Sequence, residues 1–178
     1  MSYSELFGVF PGEDRDAVSL LELKNGHGTA PVVWNEMSQR WLGWEEHQYF
    51  MHGIEGMDPL WQLYQHLGIP AAHRAVLVFT FDRAYVEKQH YDRFARDVEC
   101  FNDSRMHYTN PHWVNHWPKV AELFASEPEY PAIGLYATSV GDCLWTAAYD
   151  EDDNRLPFDW TGYYSAYGLI DNLCKEEE

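Results

Sequence analysis

An α+β fold in a single domain is what this sequence predicts, and three observations lead to it. The chain has 178 residues, a length at which one hydrophobic core is ordinarily built. Short apolar runs bounded by Gly and Pro alternate with segments of helical periodicity, and no repeat or low-complexity linker divides them. Charge is balanced only between Arg74 and Arg105, where six of the 12 basic residues meet six carboxylates, while the rest of the chain carries the whole net charge of −17. The stretch Arg74–Phe101 is therefore read as the centre of the fold. Around it we expect a small mixed or antiparallel sheet packed with five to six helices, in one domain over residues 1–178 with 170–178 as an acidic, frayed end.

Tyr3 to Phe10 reads as a strand stopped by Pro11-Gly12. Asp16 is expected to cap a short helix with Ala17, Leu20 and Leu21 on one face, broken at Asn25-Gly26-His27-Gly28. Pro31 suits the first turn of a second helix, in which Ala30, Val33, Trp34, Met37 and Trp41 share a face and Gly43 closes the end. Residues 44 to 57 follow no period and are expected to form a loop. Asp58-Pro59 opens a helix with Leu60, Leu63, Tyr64 and Leu67 aligned, ended by Gly68 and Pro70. Ala75 to Thr80 fits a buried strand, yet Pro70-Ala71-Ala72-His73-Arg74 also starts a helix, in which case Arg83 to Val86 supplies the strand.

A helix over Lys88–Phe101 is the firmest element, with Tyr91, Phe94, Val98 and Phe101 as its stripe and Asp92–Arg96 and Arg93–Asp97 as expected i,i+4 pairs. Asn102 to Asn115 is irregular, and Pro118 starts a helix that buries Val120, Leu123 and Phe124. Ala132–Thr138 and Leu144–Tyr149 read as two strands of a hairpin through Ser139-Val140-Gly141-Asp142, followed by an acidic turn at Asp150–Asn154. A last helix aligns Tyr163, Ala166, Tyr167, Ile170, Leu173 and Cys174.

The composition excludes some functions. Residues 1–73 carry ten acids against three bases and residues 120–178 carry 13 against two, a field that repels nucleic-acid phosphates and anionic lipid. The three cysteines form no C-x-x-C and no disulfide framework, and the N-terminus lacks a basic segment followed by an apolar one, so a reducing cytoplasm is the expected location. No apolar run approaches the ~20 residues of a membrane helix.

No motif is chemically complete. His107, His112 and His116 lie close together, and His112-x-x-x-His116 has metal-ligand spacing on a helix, but Trp113 stands where a catalytic H-E-x-x-H has glutamate. His47 and His52 with Glu45, Glu46 and Glu55 form a second, looser group. Ser139 and Cys143 occupy a turn without a nucleophile elbow. Gly26-His27-Gly28 lacks the lysine of a phosphate loop and the third glycine of a dinucleotide fingerprint. Asp82, Arg83 and His90 could make a polar cluster.

Aromatics make up 16% of the chain, including 8 Trp and 12 Tyr, more than a core of this size requires. The function expected from these observations is a non-catalytic protein-binding module of inhibitor, immunity or accessory type. It would need no cofactor and would dock a basic partner through an acidic face studded with rings, with Trp44, His47, Trp113 and Trp117 as candidate contacts. The alternative is a hydrolase-like enzyme with a histidine–carboxylate site and a metal at His112 and His116.

Overall fold

The computed structural model describes residues 3–51, 55–105, 114–137 and 143–173. In those residues a five-stranded mixed sheet, order β2-β1-β4-β3-β5, is packed with six α-helices. The strands are β1 (Tyr3–Val9), β2 (Val18–Lys24), β3 (Ala84–Glu87), β4 (Ala132–Tyr136) and β5 (Tyr164–Ser165). All neighbours are antiparallel except β3 and β5, and β5 runs straight into the last helix. The helices are α1 (Ala30–Met37), α2 (Asp58–Gln62), α3 (Ala71–Phe79), α4 (Tyr91–Ser104), α5 (Trp117–Ala125) and α6 (Ala166–Leu173).

Alternation along the strands separates two cores. Leu6, Leu23, Ala84, Val86, Ile133 and Leu135 face the helices and join the main core. Phe7, Val9 and Ala132 face the other way and are covered by the irregular segment 143–163, whose Trp145 is 1% exposed. Its indole lies flat on Gly134 in the middle strand, where a Cβ would collide with the ring. Its Nε1 donates to Leu135 O at 3.0 Å.

α3 resolves the central ambiguity as the helix, with β3 as the strand after it. Every residue from Ala72 to Phe79 is buried, because α1, α4 and α6 all pack on this helix. A helix enclosed on all sides has no polar face, so its sequence carries no amphipathic period. α4 has that period: Tyr91, Phe94, Ala95, Val98 and Phe101 are buried while Asp92, Arg96 and Glu99 are exposed. Three phenylalanines lock the layer together. Phe94 lies 4.7 Å from Phe79 of α3 and 4.6 Å from Phe124 of α5, ring centre to ring centre.

Four expectations are corrected. The stretch after Asp16 is β2 rather than a helix: Leu21 pairs with Leu6 and Ser19 with Phe7, leaving Leu20 as an extra, bulged residue. Ala17, Leu20 and Leu21 fit helical spacing only because the bulge interrupts the period of two. Leu144–Tyr149 is not a strand paired with β4, since β1 and β3 already occupy both edges of β4. The segment folds over the sheet instead, and Tyr149 makes an isolated bridge to Arg155. Arg93 pairs not with Asp97 but with Asp171 of α6 through two bonds of 3.0 and 2.9 Å, while Asp97 accepts from Tyr167. Tyr163, expected on the last helix, belongs to the second core. Cys174 lies outside the described residues.

Candidate functional site

His116 and Trp117 are structural. The ring Nε2 of His116 donates to Lys24 O at 2.7 Å and to Asn25 O at 3.2 Å, and its backbone N–H donates to Gly28 O at 2.8 Å. This pins the β2–α1 turn, including the Gly26–Gly28 loop, to the start of α5. Trp117 is 1% exposed and donates to Thr29 O at 3.0 Å, so it lines the core rather than a surface. His107, His112 and Trp113 lie outside the described residues, as do His52 and Ser139. Among the described residues no group of three His, Cys, Asp or Glu is arranged to hold a metal. Burial raises the Cys143 thiol above its ordinary range, away from a reactive thiolate. Asp82, Arg83 and His90 do not converge: Arg83 turns to Thr161 and Tyr163, and His90 packs on Tyr167.

A polar cluster with a buried Glu36 and His73 and a solvent-reaching Arg40 and Ser104, missed at the level of sequence, joins α1, α3 and α4. Glu36 is fully buried and pairs with Arg40 at 3.2 Å, one turn later, where the helix widens into a π-turn over Ser38–Leu42. Arg40 reaches His73 Nε2 at 3.3 Å and donates to Ser104 O at 2.5 Å, and the Ser104 hydroxyl lies 2.9 Å from the same imidazole nitrogen. A guanidinium only donates, so Nε2 of His73 accepts and the ring proton sits on Nδ1. Burial first, and the Arg40 charge second, push the His73 pKa down to about 4. The cluster therefore fastens three helices and holds its histidine neutral.

A pH effect follows. His73 is neutral in the folded chain down to about pH 4 but takes up a proton below 6.5 when unfolded, so its contribution is whole above pH 6.5. Stability should fall by about 3 kcal/mol between pH 6.5 and 4, read by urea unfolding at stepped pH. His73→Gln should abolish that slope; an unchanged slope would assign it to other groups.

A second feature faces solvent. Half-buried rings run edge to face across α1, α2 and the end of α3: Tyr64 to Phe81 at 5.9 Å, Phe81 to Trp61 at 5.5 Å and Trp61 to Trp34 at 5.4 Å, and Trp34 continues the series inward to the buried Tyr49 at 5.9 Å. His47 extends the series against Tyr49, and Trp34 is anchored by a 2.9 Å bond from its Nε1 to the Thr80 hydroxyl. His47 has φ of 63°, a strained value, and its N–H donates to Asn35 Oδ1 at 2.7 Å, so the start of the 48–51 turn is held against α1. No family model, curated protein or solved structure matches the chain.

Between Trp41 and Asp82 the exposed Asp, Glu, Lys and Arg residues are all acidic. From Trp41 to Asp82 the chain holds five carboxylates, Glu45, Glu46, Glu55, Asp58 and Asp82, and one Lys or Arg, the buried Arg74. Glu45, Glu46, Asp58 and Asp82 are exposed, and so are Trp41, Met51 and Leu67 on the same segments. Trp44 and His47, expected as contacts, are both half-buried here. Over residues 41–82 this ring-rich surface thus carries exposed acids and, among the described residues, no exposed Lys or Arg.

Proposed function

We propose that this chain is a non-catalytic protein-binding module that docks a basic partner through the ring face. The observation that supports this reading is the pairing of Trp34, Trp61, Tyr64 and Phe81, all half-buried, with a run of 42 positions whose only Lys or Arg is buried. Rigid rings give contact area at little cost in side-chain entropy, and the acids steer a basic partner to them. An enzyme alternative would have to be built around His112, outside the described residues, with His116 offering only its Nδ1.

The test is a binding titration against the partner recovered from the chain's own cells. Affinity should weaken steeply as sodium chloride rises from about 0.05 to 0.5 M. Trp61→Ala should weaken it by about 10- to 30-fold, and amides in place of Glu45, Glu46, Asp58 and Asp82 should flatten the salt dependence. Affinity indifferent to salt and to Trp61 would overturn the reading.

A further inference from the structure

The irregular segment over the outer face of the sheet encloses a cleft of about 540 Å³, within the size range of small-molecule sites. Leu144, Leu156, Phe158 and Tyr163 supply apolar walls, and Arg83 and Asp159 bring opposite charges to the same lining. Phe158 and Tyr163 stand 5.6 Å apart with their planes inclined at 53°, which gives an angled aromatic corner to the space.

Arg83 is held there against its backbone preference. Its φ of 67° is left-handed, a conformation that a long side chain adopts only when its surroundings impose it. The parallel pairing of β3 with β5 imposes it here, with Tyr164 N–H donating to Arg83 O at 3.2 Å. The guanidinium sits 5.5 Å from the centre of the Tyr163 ring and, among the described residues, donates once, to Thr161 O at 3.4 Å, so four of its five N–H groups are not used by those residues. Gly162 makes room for it, since a Cβ at that position would come within 3.0 Å of Nη1.

Asp159 is the counterpart. Its carboxylate accepts from Thr161 N–H at 2.8 Å. Hydrogen bonds from Thr161, and then the nearby Arg83 charge, hold it below the usual carboxylate range. Yet neither Arg83 nor Asp159 makes an ion pair among the described residues, although other arginines find carboxylates at 2.7 to 3.2 Å. Two exposed, unlike charges line one cleft of mixed polar and apolar character without pairing with each other, which suits a molecule that carries both.

We propose that the cleft binds a free amino acid with an apolar side chain. The carboxylate of the ligand lies on Arg83, its ammonium faces Asp159, and its side chain packs on Phe158 and Tyr163. A plain anion would be repelled by a chain of net charge −17, and a zwitterion is not. The cleft is lined by none of the rings Trp34, Trp61, Tyr64 and Phe81, although Arg83 follows Phe81 and Asp82 directly in the chain, and Asp159→Asn should leave partner affinity unchanged.

The test is calorimetric titration of the full chain with L-phenylalanine. Phenylacetate, which lacks the ammonium, and phenethylamine, which lacks the carboxylate, serve as comparators. L-Phenylalanine should bind at least about tenfold more tightly than either, and Arg83→Gln and Asp159→Asn should each weaken it by about tenfold. Asparagine keeps the acceptor for Thr161, so D159N tests the site even if R83Q disturbs the turn. Absence of binding by L-phenylalanine, L-leucine and L-methionine alike would overturn the proposal. Equal binding of phenylacetate, or affinity unchanged in both variants, would do the same.

Discussion

Replacing Trp145 by alanine should cost about 3–5 kcal/mol, and the damage should stay on one side of the sheet. The indole is 1% exposed, covers Gly134, bonds to Leu135 O and packs 5.2 Å from Tyr163. It is the largest buried side chain of a core whose other buried members, among the described residues, are Phe7, Val9 and Ala132. Without it the half-buried Tyr85, Tyr136, Trp160 and Tyr163 have no common centre. Hydrogen exchange by mass spectrometry should show amides of 143–163 opening in the variant while those of α3 and α4 keep their protection. Equal acceleration in α3 and α4 would mean that the two cores unfold as one unit.

Phe94→Ala should be as costly, about 3–5 kcal/mol, but global. Phe94 is fully buried and touches Phe79, Phe124 and Tyr167, which belong to α3, α5 and α6. Removing the ring empties the point where four helices meet, and little relaxation can fill it because each neighbour is held by another ring. Against a total stability of about 5–15 kcal/mol for a domain, this loss brings the chain close to unfolding. The urea midpoint should drop with the slope unchanged, and helical circular dichroism should be lost in a single transition. A loss under about 1 kcal/mol would show that the ring cluster is not the keystone of the layer.

The helices whose ends are marked chemically were legible. Pro31, Asp58-Pro59 and Pro118 open α1, α2 and α5, and the charged face of α4 exposes its period. β2 was not, because the bulge at Leu20 places its leucines at a spacing that also suits a helix. Leu144–Tyr149 reads as a strand because its apolar residues cover a sheet face without pairing in it, and strand pairing and face packing draw on the same residue types. At the ring face, Trp44 and His47 stood out by composition. Trp34 and Tyr64 were absorbed into helical stripes, since spacing alone does not separate a core ring from one at the rim. The lack of exposed Lys or Arg between Trp41 and Asp82 was readable, and it is the signal that could have drawn attention to this face. Glu36 and Arg40 were equally readable as an i,i+4 pair, but the burial that gives the pair its importance comes from α3 and α4.

The order of strands also bears on how the chain is made. β1, at the start of the chain, lies between β2 and β4, and β4 arrives only at Ala132. The edge strand β5 comes at Tyr164, immediately before the last helix. During synthesis the first hairpin must therefore wait with one edge open until most of the chain has emerged, and folding is governed by pairings between distant segments. Throughout that wait Glu5, Glu22 and the carboxylates of the Pro11–Asp16 turn keep like hairpins from adding to one another. The acidity of this hairpin thus protects the unfinished chain.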